Sequence, residues 1–259
     1  MLIELLLIAV MAFAYGLRTS YVQTKVAQGV ASYLSLELNA KVSIGKVHFR
    51  FVDDLLLEDF YIEDHHGDTL LSANEVYVKV EAYDLEKKTI DFGQIEFDEA
   101  LFYMKKYEGE DVTNLKFLID YFSPEEKSED DPFDITASEI KLVNCEFRFE
   151  DFNKKRKDHG IDYSHLSMSG INATFSDFSK EGDFMDVRIT ELAFKDQSGF
   201  DLDNMKTKVR FTPSQIFLDN LVIYTPNSSI ETNHLALNYK DFGDFQNFVE
   251  KVELDADFY

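Results

Sequence analysis

Apolar and polar residues alternate one for one along residues 41–81. Val47, Phe49 and Phe51 fall on one side of an extended chain, and Lys46, His48 and Arg50 on the other. Val76, Val78 and Val80 repeat the pattern against Tyr77, Lys79 and Glu81. A period of two predicts strands with one buried and one wet face. Turn formers separate these runs at 43–45, 53–54 and 65–68, and connections this short predict antiparallel neighbours. The alternation resumes over 89–104 and then in six runs, at 135–150, 163–178, 184–195, 200–211, 215–224 and 229–239. Within them Phe147 and Phe149 oppose Glu146, Arg148 and Glu150, and the pattern passes from Ile216 and Leu218 to Leu221 and Ile223 across an expected turn at Asp219 and Asn220. No βαβ spacing of roughly 30 residues is evident, so the sheet is expected to be antiparallel.

Helical periodicity occurs in three places. Val22, Val26, Val30 and Leu34, four apart, predict an amphipathic helix over 19–38. Leu115, Leu118, Ile119 and Phe122 predict a short one over 113–122, capped by Thr113 or Asn114. The last residues, 241–259, begin as a helix and stop as another strand starts, which suggests that the natural chain continues. Residues 123–134, half acidic and framed by prolines, read as a solvated loop.

Residues 2–17 are apolar except for Glu4. A helix of that length covers about 24 Å, just short of a bilayer core. The expectation is a transmembrane anchor over 1–18, with Leu2, Leu5, Leu6, Ile8, Val10 and Phe13 in lipid. The alternatives are a secretory signal peptide, favoured by Ala12 and Ala14 but lacking a basic start, and a buried helix of a soluble domain.

Composition removes several functions. The chain of 259 residues carries 26 Lys and Arg against 49 Asp and Glu, a net charge of −23, which argues against nucleic acid as a partner. The single cysteine, Cys145, sits in a strand-like run and reads as a small packed side chain. Asp64, His65, His66 and Asp68 include metal-ligand types, but adjacent strand residues point to opposite faces, and a polar hairpin loop explains the same residues. No nucleophile elbow, phosphate loop or zinc-protease motif is present. Neither an enzyme nor a cofactor or metal site is expected.

An ordered series of motifs carries a resemblance. The apolar N-terminus leads to Val22-Gln23-Thr24-Lys25-Val26-Ala27 and Tyr33-Leu34, then to Val42-Ser43-Ile44-Gly45-Lys46-Val47. Leu56-Leu57-Glu58-Asp59-Phe60-Tyr61-Ile62 and Gly67-Asp68-Thr69-Leu70-Leu71 follow, with Asn114-Leu115 and Leu218-Asp219-Asn220-Leu221 later. Over residues 18–240 this series resembles the N-terminal, membrane-proximal part of the TamB and AsmA-like family in its Bacteroidota form. The resemblance implies a single inner-membrane span and a periplasmic sheet curled into an open, apolar β-groove over 39–259. It further implies membrane phospholipids as cargo, and an Omp85-type outer-membrane barrel or a larger envelope complex as partner. The role would be phospholipid transfer, or outer-membrane assembly in the manner of a translocation and assembly module. Val47, Phe49, Phe51, Val76, Val78, Val80, Phe147 and Phe149 are the expected groove lining. The competing expectation is an exported structural or adhesive β-sandwich that binds a protein or glycan.

Overall fold

The computed structural model describes residues 20–49, 54–84, 86–87, 89–122, 134–158, 162–181, 184–240, 244 and 248–258. The protein is mainly β. Helix α1 (Ser20–Glu37) is followed by β1 (Val42–Ser43), β2 (Lys46–Phe49), β3 (Asp54–Glu63), β4 (Thr69–Asp84), β5 (Thr89–Asp98), β6 (Leu101–Lys106) and helix α2 (Lys116–Phe122). Then come β7 (Asp134–Ala137), β8 (Glu139–Asp151), β9 (His165–Glu181), β10 (Phe184–Asp196), β11 (Asp201–Leu202), β12 (Asn204–Phe211), β13 (Gln215–Thr225) and β14 (Ser228–Asn238), and finally the short helix α3 (Phe248–Lys251) and β15 (Glu253–Phe258). All 15 strands belong to one sheet, whose path runs β1-β3-β4-β5-β8-β9-β10-β12-β13-β14-β15. Its two ends, β1 and β15, do not pair with each other, so the sheet is open.

Short strands combine into longer ones. β1 and β2 both lie antiparallel on β3 in a single register, Val42 opposite Ile62 and Val47 opposite Leu57. Residues 43–45 are therefore an interruption within one strand, not the expected hairpin turn. The expected turn at Asp219 and Asn220 is corrected in the same way. Asn220, at φ +52°, is an extra residue inside the continuous β13, and the register against β12 slips there. Asn220 marks its position because a left-handed residue is needed in a bulge as much as in a turn, whereas Gly45 is set by the closeness of Asp59.

The antiparallel expectation fails at one seam. β7 and β8 run parallel to β5 and β6, with Thr89 opposite Asp134, Ile95 opposite Ile140 and Leu101 opposite Glu146. Parallel strands need a long crossover, and the segment between Lys106 and Asp134 provides it, carrying α2 on the way. The acidic loop expected at 123–134 lies, except for Asp134, outside the described residues.

A crease crosses the sheet near its middle. Asp59, Glu99 and Asn144 all have positive φ, at 53°, 48° and 50°. At these positions the apolar alternation skips a residue, from Leu57 to Phe60, from Phe97 to Ala100 and from Leu142 to Cys145. Neighbouring small side chains, Ala73, Ala100 and Cys145, are almost wholly buried in a cluster against which Phe60, Phe97, Phe102 and Phe147 pack. At the start of the crease only glycine fits, since a Cβ on Gly45 would lie 2.7 Å from Asp59 Oδ2 and 2.8 Å from Asp59 Cβ.

Helix α1 closes one edge of the sheet. It ends through Asn39 at φ +46°, a left-handed exit, and packs Ala31, Leu34 and Leu38 with Val42 and with Phe117, Leu118 and Tyr121 of α2. Its hydroxyls meet the outer backbone of the edge strand. Val47 N donates to Thr24 Oγ1 at 3.3 Å, and Val42 N to Ser35 Oγ at 2.8 Å.

No helix among the described residues is long and apolar enough to cross a membrane. The expected anchor, with Leu2, Leu5, Leu6, Ile8, Val10 and Phe13, lies outside the described residues, as does Phe51.

A candidate apolar binding face

In a sheet, residues directly opposite on paired strands share a face. The pairing therefore turns the alternation of single strands into rungs that cross the molecule. One rung reads Val47, Leu57, Val76, Phe97, Leu142, Ala173 and Leu192. Seven strands at about 4.8 Å spacing make it roughly 29 Å long. A second holds Leu55, Val78, Ile95, Ile140, Phe175 and Ile189, and a third Ile62, Leu71, Phe102, Phe147 and Met168. Beyond β10 the same face continues through Val187, Val209, Leu218, Leu235 and Ala256, and through Met185, Phe211, Ile216, Leu237 and Leu254. Two core clusters meet at Phe175 and Leu192, which makes the apolar surface continuous.

Six of the eight sequence-derived candidates are gathered on this surface. Val47, Val76 and Val78 are buried, while Val80, Phe147 and Phe149 are half-buried. Val80 pairs with Phe92, which packs into the main cluster, and Phe149 with Met104 and Leu166. The backbone of Phe49 pairs with Leu55. Sequence reasoning missed the rungs on β10–β15, where the bulges at Thr190 and Asn220 break the simple period of two. Among the described residues every strand belongs to this sheet, so no second sheet lies over the face. Towards β15 large side chains on it are open to solvent: Met185 at 45%, Ile230 at 44% and Leu254 at 52%.

The opposite face is polar. Glu58 binds Lys46 and His48 at 2.9 Å each, and Asp186 is held by Arg210 and Lys208. The Arg210 guanidinium, hydrogen-bonded to Asp186, keeps that carboxyl down at about 2 despite partial desolvation. A shallow recess of about 390 Å³ on this face is lined by Asp54, Glu75, Glu96, Asp98, Tyr77, Gln94 and Leu56, which makes it acidic.

The histidine–aspartate cluster is a structural pin. Asp64 is buried and accepts four hydrogen bonds, from Asn114 Nδ2 and Tyr107 Oη at 2.8 Å and from the amides of His66 and Asp68 at 2.9 Å. Burial alone would raise its carboxyl, but these donors outweigh burial and hold it below the usual carboxylate range. Asp68 takes Lys105 Nζ at 2.7 Å and shares the Tyr107 hydroxyl. His66 stacks on Tyr107 with centroids 3.6 Å apart, and His65 stacks on Phe117 while bonding Leu38 O. The cluster thus ties the β3–β4 hairpin to the end of β6, to α2 and to the exit of α1. Asn114, one of the two residues expected to cap α2, spends its side chain here, its Oδ1 accepting from Lys105 N at 2.8 Å. Among the described residues no group of three or more His, Cys, Asp or Glu is placed to hold a metal ion. Cys145 is fully buried, burial pushes its thiol up, and its Sγ lies 3.4 Å from Phe97 O.

Compared with protein-family models and with curated proteins, the chain matches none.

Proposed function

We propose that the protein is a non-enzymatic lipid carrier of the cell envelope, of the TamB and AsmA-like kind, whose apolar sheet face accepts phospholipid acyl chains. The observation that carries this reading is the unbroken apolar face of an open sheet that no second sheet covers among the described residues. Much of this face is packed core, but towards β15 the large apolar side chains of Met185, Ile230 and Leu254 stay open to water, and apolar surface left open in this way marks binding surfaces. An acyl chain suits such a face. It is long, uniform and needs no polar partner, and each methylene removed from water contributes about 0.8 kcal/mol. The spacing of the rungs gives parallel tracks of side chains rather than a closed pocket, so many chain lengths fit and selectivity is low. In this reading the sheet curls around its cargo as a groove, residues 1–18 anchor it in the inner membrane, and the bulk lies in the periplasm. An Omp85-type barrel or a larger envelope complex receives what it carries.

The test is lipid occupancy. Native mass spectrometry of the protein extracted under mild conditions is expected to show bound phospholipid. A chain that is folded and lipid-free, and that takes up no fluorescent phospholipid from vesicles, would remove this reading and favour a structural role for the sheet.

A further inference from the structure

Between β8 and β9, residues 152–158 and 162–164 sort their charges by direction. Asp151, at the base of this connection, is 1% exposed and accepts from Asn153 N and Nδ2 at 3.0 and 3.1 Å. Asp162, its side chain 10% exposed, takes the amides of Lys157 and Ser164 at 2.9 and 3.1 Å and lies 2.9 Å from His165 Nδ1. Both carboxylates thus turn inwards, occupied by donors of their own loop. The cations turn outwards. Lys154, Lys155, Arg156 and Lys157 are consecutive and all exposed. Arg156 reaches Glu150, but none of the three lysines pairs with a carboxylate among the described residues. Elsewhere in this acidic chain cations are taken up, Lys46 by Glu58, Lys116 by Asp120 and Lys195 by Asp201.

Apolar rings flank the basic run. Phe152 before it and Tyr163 after it are 48% and 39% exposed. Phe152 is held in place, its amide donating to Lys106 O at 2.9 Å and its ring stacking on Tyr107 with centroids 5.9 Å apart. Asn153 clasps the neighbouring turn, Nδ2 donating to Tyr107 O at 2.9 Å and Oδ1 accepting from Gly109 N at 2.7 Å. An anionic bilayer surface offers both layers that this arrangement calls for, phosphates for the lysines and an apolar boundary beneath them for the rings. A free inorganic anion would use the cations and leave the rings in water. The net charge of −23 opposes approach, but at physiological salt a charge is felt over about 8 Å, so the surroundings of the loop decide. There Asp158, and Glu108 and Asp111 on the neighbouring turn, are exposed carboxylates that temper the attraction. Cations and rings are therefore both required, as surface anchoring by two weak signals generally is.

We propose that the β8–β9 connection docks on the surface of an anionic bilayer, with Lys154, Lys155 and Lys157 on lipid phosphates and the Phe152 and Tyr163 rings at the apolar boundary. The docking is separate from the apolar sheet face and stands whether or not that face carries lipid.

The chain contains no tryptophan, so Phe152→Trp gives the full chain a single reporter in this loop, and Tyr163→Trp a second one from its other side. The emission of either is expected to shift to the blue, and to be quenched by brominated lipid, on vesicles of phosphatidylcholine with phosphatidylglycerol. On phosphatidylcholine alone it is expected to stay as in buffer. Adding Lys154→Gln, Lys155→Gln and Lys157→Gln, all on exposed side chains, is expected to abolish the response while circular dichroism stays unchanged. Equal responses on both kinds of vesicle would assign the contact to another part of the chain, residues 1–18 first among them, and overturn the role of the cations. No response on the anionic vesicles, or one that survives the loss of the three lysines, would overturn the proposal outright. Lipid bound to the purified protein does not enter this readout, so its outcome is independent of the lipid-occupancy test.

Discussion

Replacing Asp64 by alanine removes the acceptor of four hydrogen bonds, two from its own loop and two from the stretch that follows β6. The Asn114 amide and the two loop amides lose an ionised partner, while Tyr107 keeps Asp68. A hydrogen bond to a charged group contributes about 1.5–3 kcal/mol net. With the Tyr107 bond retained in part and water able to reach the exposed hairpin, the expected loss is about 3–4 kcal/mol. Urea unfolding followed by circular dichroism measures it as a fall in midpoint at unchanged slope. Asp68→Ala is the comparison. It removes the carboxylate partner of Lys105, whose side chain is only 8% exposed and is left to its contacts with the Tyr103 and Tyr107 rings, so a loss of about 3 kcal/mol is expected there too. The pH dependence carries the sign. A carboxyl held low in the folded protein stabilises above its unfolded value of about 3.9, and that stability disappears as pH falls through the folded value. The gap between wild type and Asp64→Ala is therefore constant near neutrality and narrows below about pH 4. A loss under about 1 kcal/mol, or a gap that ignores pH, would refute the view that this residue pins the hairpin.

Three further expectations follow from the same geometry. Gly45→Ala drives a Cβ into Asp59 and is expected to cost about 1–3 kcal/mol by thermal unfolding, with Asp59→Gly in the same chain restoring most of it because the obstructing Cβ and the left-handed aspartate both vanish. The Cys145 thiol, buried and raised, is expected to ignore a thiol reagent in the native state and to react fully in urea; rapid native labelling would contradict its placement. Arg210→Ala is expected to return the Asp186 carboxyl from about 2 towards ordinary values in a carbon-detected NMR titration, while an unchanged titration would mean that the pair does not form in solution.

The long strands were legible because a half-buried strand writes its two faces directly into the residue order. The Val76–Val78–Val80 run and the Phe147–Phe149 run are of this kind, and each lands on the apolar face. Failures concentrate where local signals have two meanings. Asn220 and Gly45 look like turn residues and lie within the sheet, Asn220 as a left-handed bulge residue and Gly45 because Asp59 leaves no room for a Cβ. The parallel seam was hidden because pairing direction depends on a crossover between distant residues, and the acidic run within it carries no periodicity. The pin around Asp64 was half visible. Its turn-forming residues showed a loop, but Asn114 and Tyr107 arrive from some 40–50 positions away, a distance that no local pattern reports. The β10–β15 part of the apolar face escaped for a related reason, since bulges reset the alternation there.

The central claim is that the apolar face holds acyl chains, and Met185 and Ile230 offer the most direct handle on it. Both are on that face and nearly half exposed, so glutamate at either position adds charge to the surface without opening the packed clusters. Native mass spectrometry of wild type and of the Met185→Glu, Ile230→Glu variant, with unfolding curves recorded in parallel, compares lipid occupancy at equal stability. The account predicts phospholipid on the wild type and a clear loss of it from an equally stable variant. Wild-type protein free of lipid, or occupancy that the two glutamates leave untouched, would contradict it.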